Sequence, residues 1–208
     1  LYTLATHFGI ETLTPARGAL RQGVIIDLRE RLEALRHAHP EDIRDESVRE
    51  LQSRFGVATD QALRVRTLAQ ALHDAVAGDA DLESRRELGW ACDLHEVGQM
   101  VSHHDHHRHS AYLVAHVDAA GFSQSQQRRI SELVLGQRGG LRKLDLGLAN
   151  PAFARQTLCL RLAVIKCHAR GAIDTHALRL KREERGARLD FSADWAQNNP
   201  RTLHLLRE

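Results

Sequence analysis

The stretch LHEVGQMVSHHDHHRHSAYL, Leu94 to Leu113, places six histidines, two acids and one arginine within twenty residues. Leu88, Ala91, Cys92, Leu94 and His95 recur at helical spacing and predict a helix that ends near Gly98. The next part, SHHDHHRHS, is too poor in apolar residues for a buried turn and lies just before a second helix. Ser110 is placed to cap that helix, which runs through Val117. Two helices meeting at a histidine-rich joint point to a helical domain.

The flanking sequence agrees. Val48, Leu51 and Phe55 mark a short helix closed by Gly56. Asp60 can cap the next, whose apolar face is Ala62, Val65, Ala69, Leu72 and Val76. The segment from Gly78 to Asp81 breaks it, and Ser84 and Glu87 stand at capping-box spacing for the helix that carries His95. Ser123 and Gln126 repeat that spacing before RRISELVLG. A loop is expected from Gly136 to Gly147. Asn150 and Pro151 then open AFARQTLCLRLAVIKCHAR, which is apolar almost all round and so central, with Gly171 at its stop. LRLKREERGARLDF alternates about Gly186, so Leu178, Leu180, Leu189 and Phe191 predict a small hairpin. A terminal helix begins near Asn199 and Pro200.

The first residues read differently. A short apolar helix to Phe8 turns at Gly9, an extended IETLT follows, and PARGALRQG leads into an amphipathic helix from Val24 to His37. The chain begins at Leu1 without methionine and enters structured-looking sequence at once, so a preceding stretch of polypeptide is expected. Residues 1–28 are read as the edge of another domain, and 29–208 as the main helical one.

Composition sets the class. In 208 residues, 42% are hydrophobic and 27% charged, as in ordinary soluble proteins; 4% aromatic residues and four prolines favour helices over a sandwich or barrel. No apolar run reaches the roughly 18 residues needed to span a bilayer. Cys92, Cys159 and Cys167 form no CxxC pair, which argues for reduced, buried thiols in a cytoplasmic protein. The net charge of +2 hides an asymmetry: residues 1–120 carry 13 basic and 19 acidic side chains, whereas 121–188 carry 14 basic and 5 acidic. The basic half is either a polyanion-binding surface or a solvated arginine-rich exterior. Nucleic acid competes as a partner for such a surface but is the less expected one.

His95 and Glu96 on a helix resemble the adjacent His-Asp pair of the HD phosphohydrolases, helical metal enzymes. A catalytic metal needs several converging donors and an open position for water. Aligning DQALRVRTLA and LRLAVIKC with the helices that supply the distant ligands puts Gln61 in place of a histidine and Val164 in place of an aspartate. His95 and Glu96 therefore read as a degenerate pair, with no metal expected in this sequence. The alternatives are a surviving site from His95, Glu96, His103 and His104, which would make the chain an autonomous HD-type metal-dependent nucleotide phosphohydrolase, and a core histidine bonded to a neighbouring carbonyl. The segment from His103 to Ser110, with His107, Arg108 and His109 at a helix start, suits an anion. Protonation of histidines, whose ordinary pKa is about 6.5, would strengthen it. A solvated polar loop is the other reading.

ALRQGVIIDL (Ala19–Leu28), WACDLHEVGQMVSHHDHHRHSAYLVAHVDAAGFSQSQQ (Trp90–Gln127) and LRLAVIKCHAR (Leu160–Arg170) together resemble the C-terminal half of the exopolyphosphatase and guanosine pentaphosphate phosphohydrolase family. LHEVG, then His103 and His107 through Leu113, then GFS, is the specific part. The resemblance implies a bipartite hydrolase. An upstream actin-like catalytic domain would use Mg²⁺ to hydrolyse phosphoanhydrides, with its tail at residues 1–28, and an HD-like helical C-terminal domain would help to hold inorganic polyphosphate and pair as a homodimer. Catalytic residues would lie upstream of this sequence. The resemblance carries polyphosphate-binding character to His103, His107, Arg108 and His109, and to Arg21 and Arg138. Gln22 and Gln137 depart from the family pattern, which has glutamate and histidine there.

Overall fold

A computed structural model describes residues 2–9, 12, 22–26, 28–29, 42–77, 82–171, 174–175, 177–184 and 186–207. The chain divides into two compact units, Leu1–Asp42 and Ile43–Glu208. In the first, helix α1 spans Tyr2–His7, and Gly9 turns with φ of 63°. Residues 22–26 and 28–29 are helical, overlapping the start of the helix predicted from Val24 to His37; residues 27 and 30–37 of that helix, and Arg21, lie outside the described residues.

The second unit is mainly helical, with one small hairpin. Its helices are α2 (Ile43–Arg54), α3 (Thr59–Val76), α4 (Leu82–Leu94), α5 (His106–His116), α6 (Gln124–Gly136), the short α7 (Asp145–Leu148), α8 (Pro151–Cys167), α9 (Ala193–Asn198) and α10 (Pro200–Arg207). Short 3-10 turns cover Val97–Met100 and Leu141–Leu144. Strands β1 (Arg179–Glu183) and β2 (Gly186–Asp190) pair antiparallel, Leu180 opposite Leu189, and β1 packs against α3.

The apolar spacing builds the core directly. Ala62, Val65, Ala69, Leu72 and Val76 of α3 are all buried, and that face meets α4 and α8. On α8, Phe153, Leu160, Leu162 and Ala163 are buried, so this helix is central as its composition predicts. Each large apolar side chain withdrawn from water stabilises the fold by roughly 1.5–3 kcal/mol. Trp90 of α4 meets Phe122 edge to face and donates its indole N–H to Asp45 Oδ1 at 2.6 Å, which fixes α2 against α4.

Caps settle the helix starts, with several corrections. At α6, Ser123 and Gln126 form the predicted capping box. At α8, the Asn150 side chain accepts the amides of Ala152 and Phe153 ahead of Pro151. The other three predicted caps differ. Helix α3 starts at Thr59 with no side-chain cap, so Asp60 lies within its first turn. Helix α4 starts at Leu82, which puts Ser84 and Glu87 inside it and buries both. There Glu87 Oε2 accepts Arg129 Nε at 2.7 Å and Gln156 Nε2 at 3.0 Å, and that same amide nitrogen donates to the Ser84 carbonyl at 2.8 Å. This network joins α4, α6 and α8; a charge taken from water is held where an opposite charge and an amide both meet it. Helix α5 starts at His106 instead of Ser110, and this changes the reading of the joint. At the end of α8, Arg170 takes the left-handed conformation (φ 54°) expected of Gly171. The expected loop from Gly136 to Gly147 contains the end of α6, a 3-10 turn and part of α7.

Candidate functional site

The histidine-rich stretch folds as the end of α4, the 3-10 turn, a polar turn from Ser102 to Asp105, and α5. Ser110 sits in the middle of α5, with no exposed surface. Its hydroxyl accepts the Gly98 amide at 2.8 Å and donates to the His95 carbonyl at 2.9 Å, so it pins α5 onto the preceding turn. Gly98 permits that approach: a Cβ there would stand 2.3 Å from Ser110 N and 2.4 Å from the His106 carbonyl oxygen. Gln137 Nε2 reaches the same His95 carbonyl at 2.9 Å from the end of α6. The glutamine that departs from the family pattern thus ties the loop after α6 to this joint.

His95 is the core histidine of the second alternative. It is fully buried, and its Nδ1 meets the Cys92 carbonyl at 2.6 Å. Burial lowers its pKa, against the opposing pull of Glu96, whose carboxylate lies 3.9 Å from Nε2. Glu96 is held from its other side by Arg170 at 3.3 Å. Gln61, at the position of a distant HD ligand, donates to the Cys167 carbonyl at 3.0 Å and links α3 to the end of α8. Val164 is half-buried against the core. Among the described residues no group of three or more His, Cys, Asp or Glu is placed to hold a metal ion. With Gln61 bonded to a backbone carbonyl and an aliphatic Val164 at the two distant positions, His95 and Glu96 lack the converging donors a catalytic metal needs.

The cations converge elsewhere, around the loop Gly136–Gly140 between α6 and the second 3-10 turn. Arg161, projecting from α8, donates to the carbonyls of Gly136 and Gly139, both at 2.9 Å. Lys143 donates to the Arg138 carbonyl at 2.8 Å. The Lys143 ammonium is disfavoured first by partial burial and then by the charges of Arg108 and Arg161, with Asp105 opposing. Arg108 and Arg138 are exposed at this edge. Of the six residues predicted to hold phosphate, the structure places Arg108, Arg138 and His107 about this loop. His103 is exposed on the turn before α5, and its charge and that of Arg138 both act on the half-buried His106. His109, on α5, is half-buried.

His107 differs from the expectation of a solvent-facing cation. Only 4% of it is exposed, and burial, followed by the Lys143 charge, pushes its pKa down to about 4. Its imidazole is therefore neutral at neutral pH. The expected helix-start anion site also changes. The residue at the start of α5 is Asp105, left-handed at φ 54°, whose own carboxylate lies 3.9 Å from Arg108 and 3.8 Å from His104. An acid at this end already answers the helix dipole. Lys143 and Arg161 belong to the basic segment 121–188; the dense GQRGGLRKL stretch is the local signal for the first, and nothing local marks the second.

Comparison with known families gives one finding: residues 43–208 match the model of the Ppx/GppA phosphatase family described as domain III.

Proposed function

Since the chain belongs to the Ppx/GppA phosphatase family, we propose that it holds inorganic polyphosphate for an exopolyphosphatase-type hydrolase, with guanosine pentaphosphate as the other phosphoanhydride substrate of such a parent. The reaction is removal of a terminal phosphate, carried out by catalytic residues and Mg²⁺ of an actin-like domain upstream of this sequence, in a cytoplasmic homodimer. Residues 1–28 are the tail of that upstream domain. No described helix is long and apolar enough to cross a membrane, in keeping with a substrate that is a free polyanion.

The observation that supports this reading is that Lys143 and Arg161 both bond carbonyls of the loop 136–139, that the charges of Arg108 and Arg161 both act on the Lys143 ammonium, and that Arg108 and Arg138 are exposed. Like charges gathered at a loop repel until an anion joins them, and a chain with about one negative charge per phosphate relieves several at once. Binding of long-chain polyphosphate to the whole 208-residue chain at 50 mM salt tests it. Each exposed phosphate contact is worth about 1 kcal/mol, so Arg108→Ala with Arg138→Ala weakens binding roughly 30-fold. Unchanged affinity of the double variant sinks the site assignment, and preference for single-stranded DNA of matched charge points instead to a nucleic-acid module.

A further inference from the structure

A cleft of about 610 Å³ opens between the root of the hairpin and α9, and it shares no lining residue with the histidine-rich joint or with the loop after α6. Asp174, Arg179, Asp190, Phe191, Asp194 and Trp195 are among the residues that line it. Small-molecule sites have volumes of roughly 300–1,000 Å³, so the cleft is large enough for a nucleotide-sized ligand. One wall is aromatic: Phe191 and Trp195 meet with ring centroids 5.4 Å apart, and Phe191 is 39% exposed.

That wall is set in advance. The Trp195 amide donates to Ser192 Oγ at 3.1 Å, the Trp195 carbonyl accepts Asn199 Nδ2 at 2.9 Å, and Lys166 Nζ lies 5.2 Å from the ring centre. The indole Nε1–H is buried without a hydrogen-bond partner, whereas a buried indole N–H usually finds one. The charges of the cleft are also incompletely matched. Asp190 is answered by Lys181 and Arg188, each at 3.0 Å. The exposed side chains of Arg179 and Asp194 have no ion pair among the described residues, and although both line the cleft they do not pair with each other. A free cation, a free carboxylate and an aromatic wall in one cleft complement a ligand with an anionic end, a flat aromatic body and an edge that donates hydrogen bonds.

We infer that this cleft binds a guanine nucleotide, with the base stacked on Phe191, its N1–H and 2-amino group donating to Asp194, and its phosphates on Arg179. An ionised carboxylate only accepts hydrogen bonds. Guanine presents two adjacent donors to it, whereas adenine turns the N1 lone pair toward it, so the same carboxylate attracts one purine and opposes the other. Arg179 in the lining disfavours a simple organic cation, which the acids alone would suit. The site takes the nucleotide as a ligand and stands apart from the polyphosphate reading: inorganic polyphosphate carries no base, and none of the cations of the loop after α6 takes part.

The test titrates the whole 208-residue chain with GDP, ADP, guanosine and spermidine, and follows the indole N–H NMR signals of its two tryptophans. GDP is expected to shift the Trp195 signal and to leave that of Trp90, whose N–H is bonded to Asp45 in the core. ADP should bind about tenfold more weakly or worse, because its base leaves the carboxylate without a donor. Asp194→Asn, whose amide can serve either base, should bring the two nucleotides to about the same affinity. Arg179→Met should weaken GDP about tenfold and leave guanosine unchanged. Phe191→Ala should weaken both nucleotides about tenfold through lost stacking. All three side chains are exposed, so the variants should melt with the wild type. Equal binding of GDP and ADP by the wild-type chain, a Trp195 signal that GDP does not move, or one that spermidine moves and GDP does not, overturns the site. A wild-type chain that binds GDP but no polyphosphate overturns the polyphosphate reading and leaves this site standing.

Discussion

Replacing Ser110 separates the two readings of the histidine-rich joint. A helix-capping serine is exchangeable: aspartate serves equally well at an N-cap, and alanine costs about 1 kcal/mol. In the structure Ser110 is interior to α5, fully buried, and bonded to the Gly98 amide and the His95 carbonyl. In Ser110→Ala the His95 carbonyl keeps Gln137, but the Gly98 amide loses its partner. One buried donor left unpaired costs about 1–3 kcal/mol. In a domain of this size each kcal/mol lowers the melting temperature by about 2–4 °C, so a loss near 2 kcal/mol gives about 4–8 °C. Ser110→Asp is much worse, because it places a carboxylate with no cation beside a backbone carbonyl; a loss above about 3 kcal/mol and a poorly folded product are expected. Thermal unfolding followed by circular dichroism reads both variants. Wild-type stability in Ser110→Asp would refute the buried joint and restore Ser110 as a cap.

Other measurements test separate parts of the fold. Gly98→Ala should destabilise at least as much as Ser110→Ala, because its methyl would meet the backbone of α5 instead of a movable side chain; a melting curve within 1 °C of wild type would contradict that packing. The thiols of Cys92, Cys159 and Cys167 are buried and their pKa values raised by burial, Cys159 to about 12 and Cys167 to about 11. They should react with a thiol reagent only after denaturation, and rapid labelling of the native chain would be inconsistent. Two groups contribute to acid stability with opposite signs. His107 is lowered from 6.5 to about 4, so the folded state binds fewer protons than the unfolded in that window, and this contribution to stability is lost as pH falls through it. Asp93, raised by burial from 3.8 to about 6 despite its 2.6 Å bond to Arg66, works oppositely and costs stability as pH rises through its window. The difference in melting temperature between pH 7 and pH 4.5 should shrink in His107→Asn and widen in Asp93→Asn; the reverse order would show the signs to be wrong.

What the sequence revealed depended on whether the determining contacts were local. The apolar face of α3, the hairpin about Gly186 and the caps at Ser123 and Asn150 are set within a few residues, and all appear in the structure. Ser84 and Glu87 have the spacing of a capping box, yet Glu87 is committed to Arg129 and Gln156, more than forty positions away in sequence. Spacing cannot distinguish a cap from a long-range bond. Ser110 is similar: the histidines flanking it have the composition of a polar loop, yet His107 is buried and Asp105 provides the turn that starts the helix. In the candidate site, Arg108 and Arg138 were legible as motif positions. Arg161 was not, because its guanidinium comes from a helix that reads as core and matters only through the carbonyls it reaches.

The salt dependence of polyphosphate binding tests the central claim most directly. If several cations neutralise one chain, the logarithm of the association constant falls linearly with the logarithm of salt concentration, with a slope of magnitude close to the number of contacts. For the wild-type chain that slope should be about 3–4, and Arg108→Ala with Arg138→Ala should reduce it by about 2. A slope near zero, or one the two substitutions leave unchanged, would contradict the assignment of this loop as the place where the phosphate chain is held.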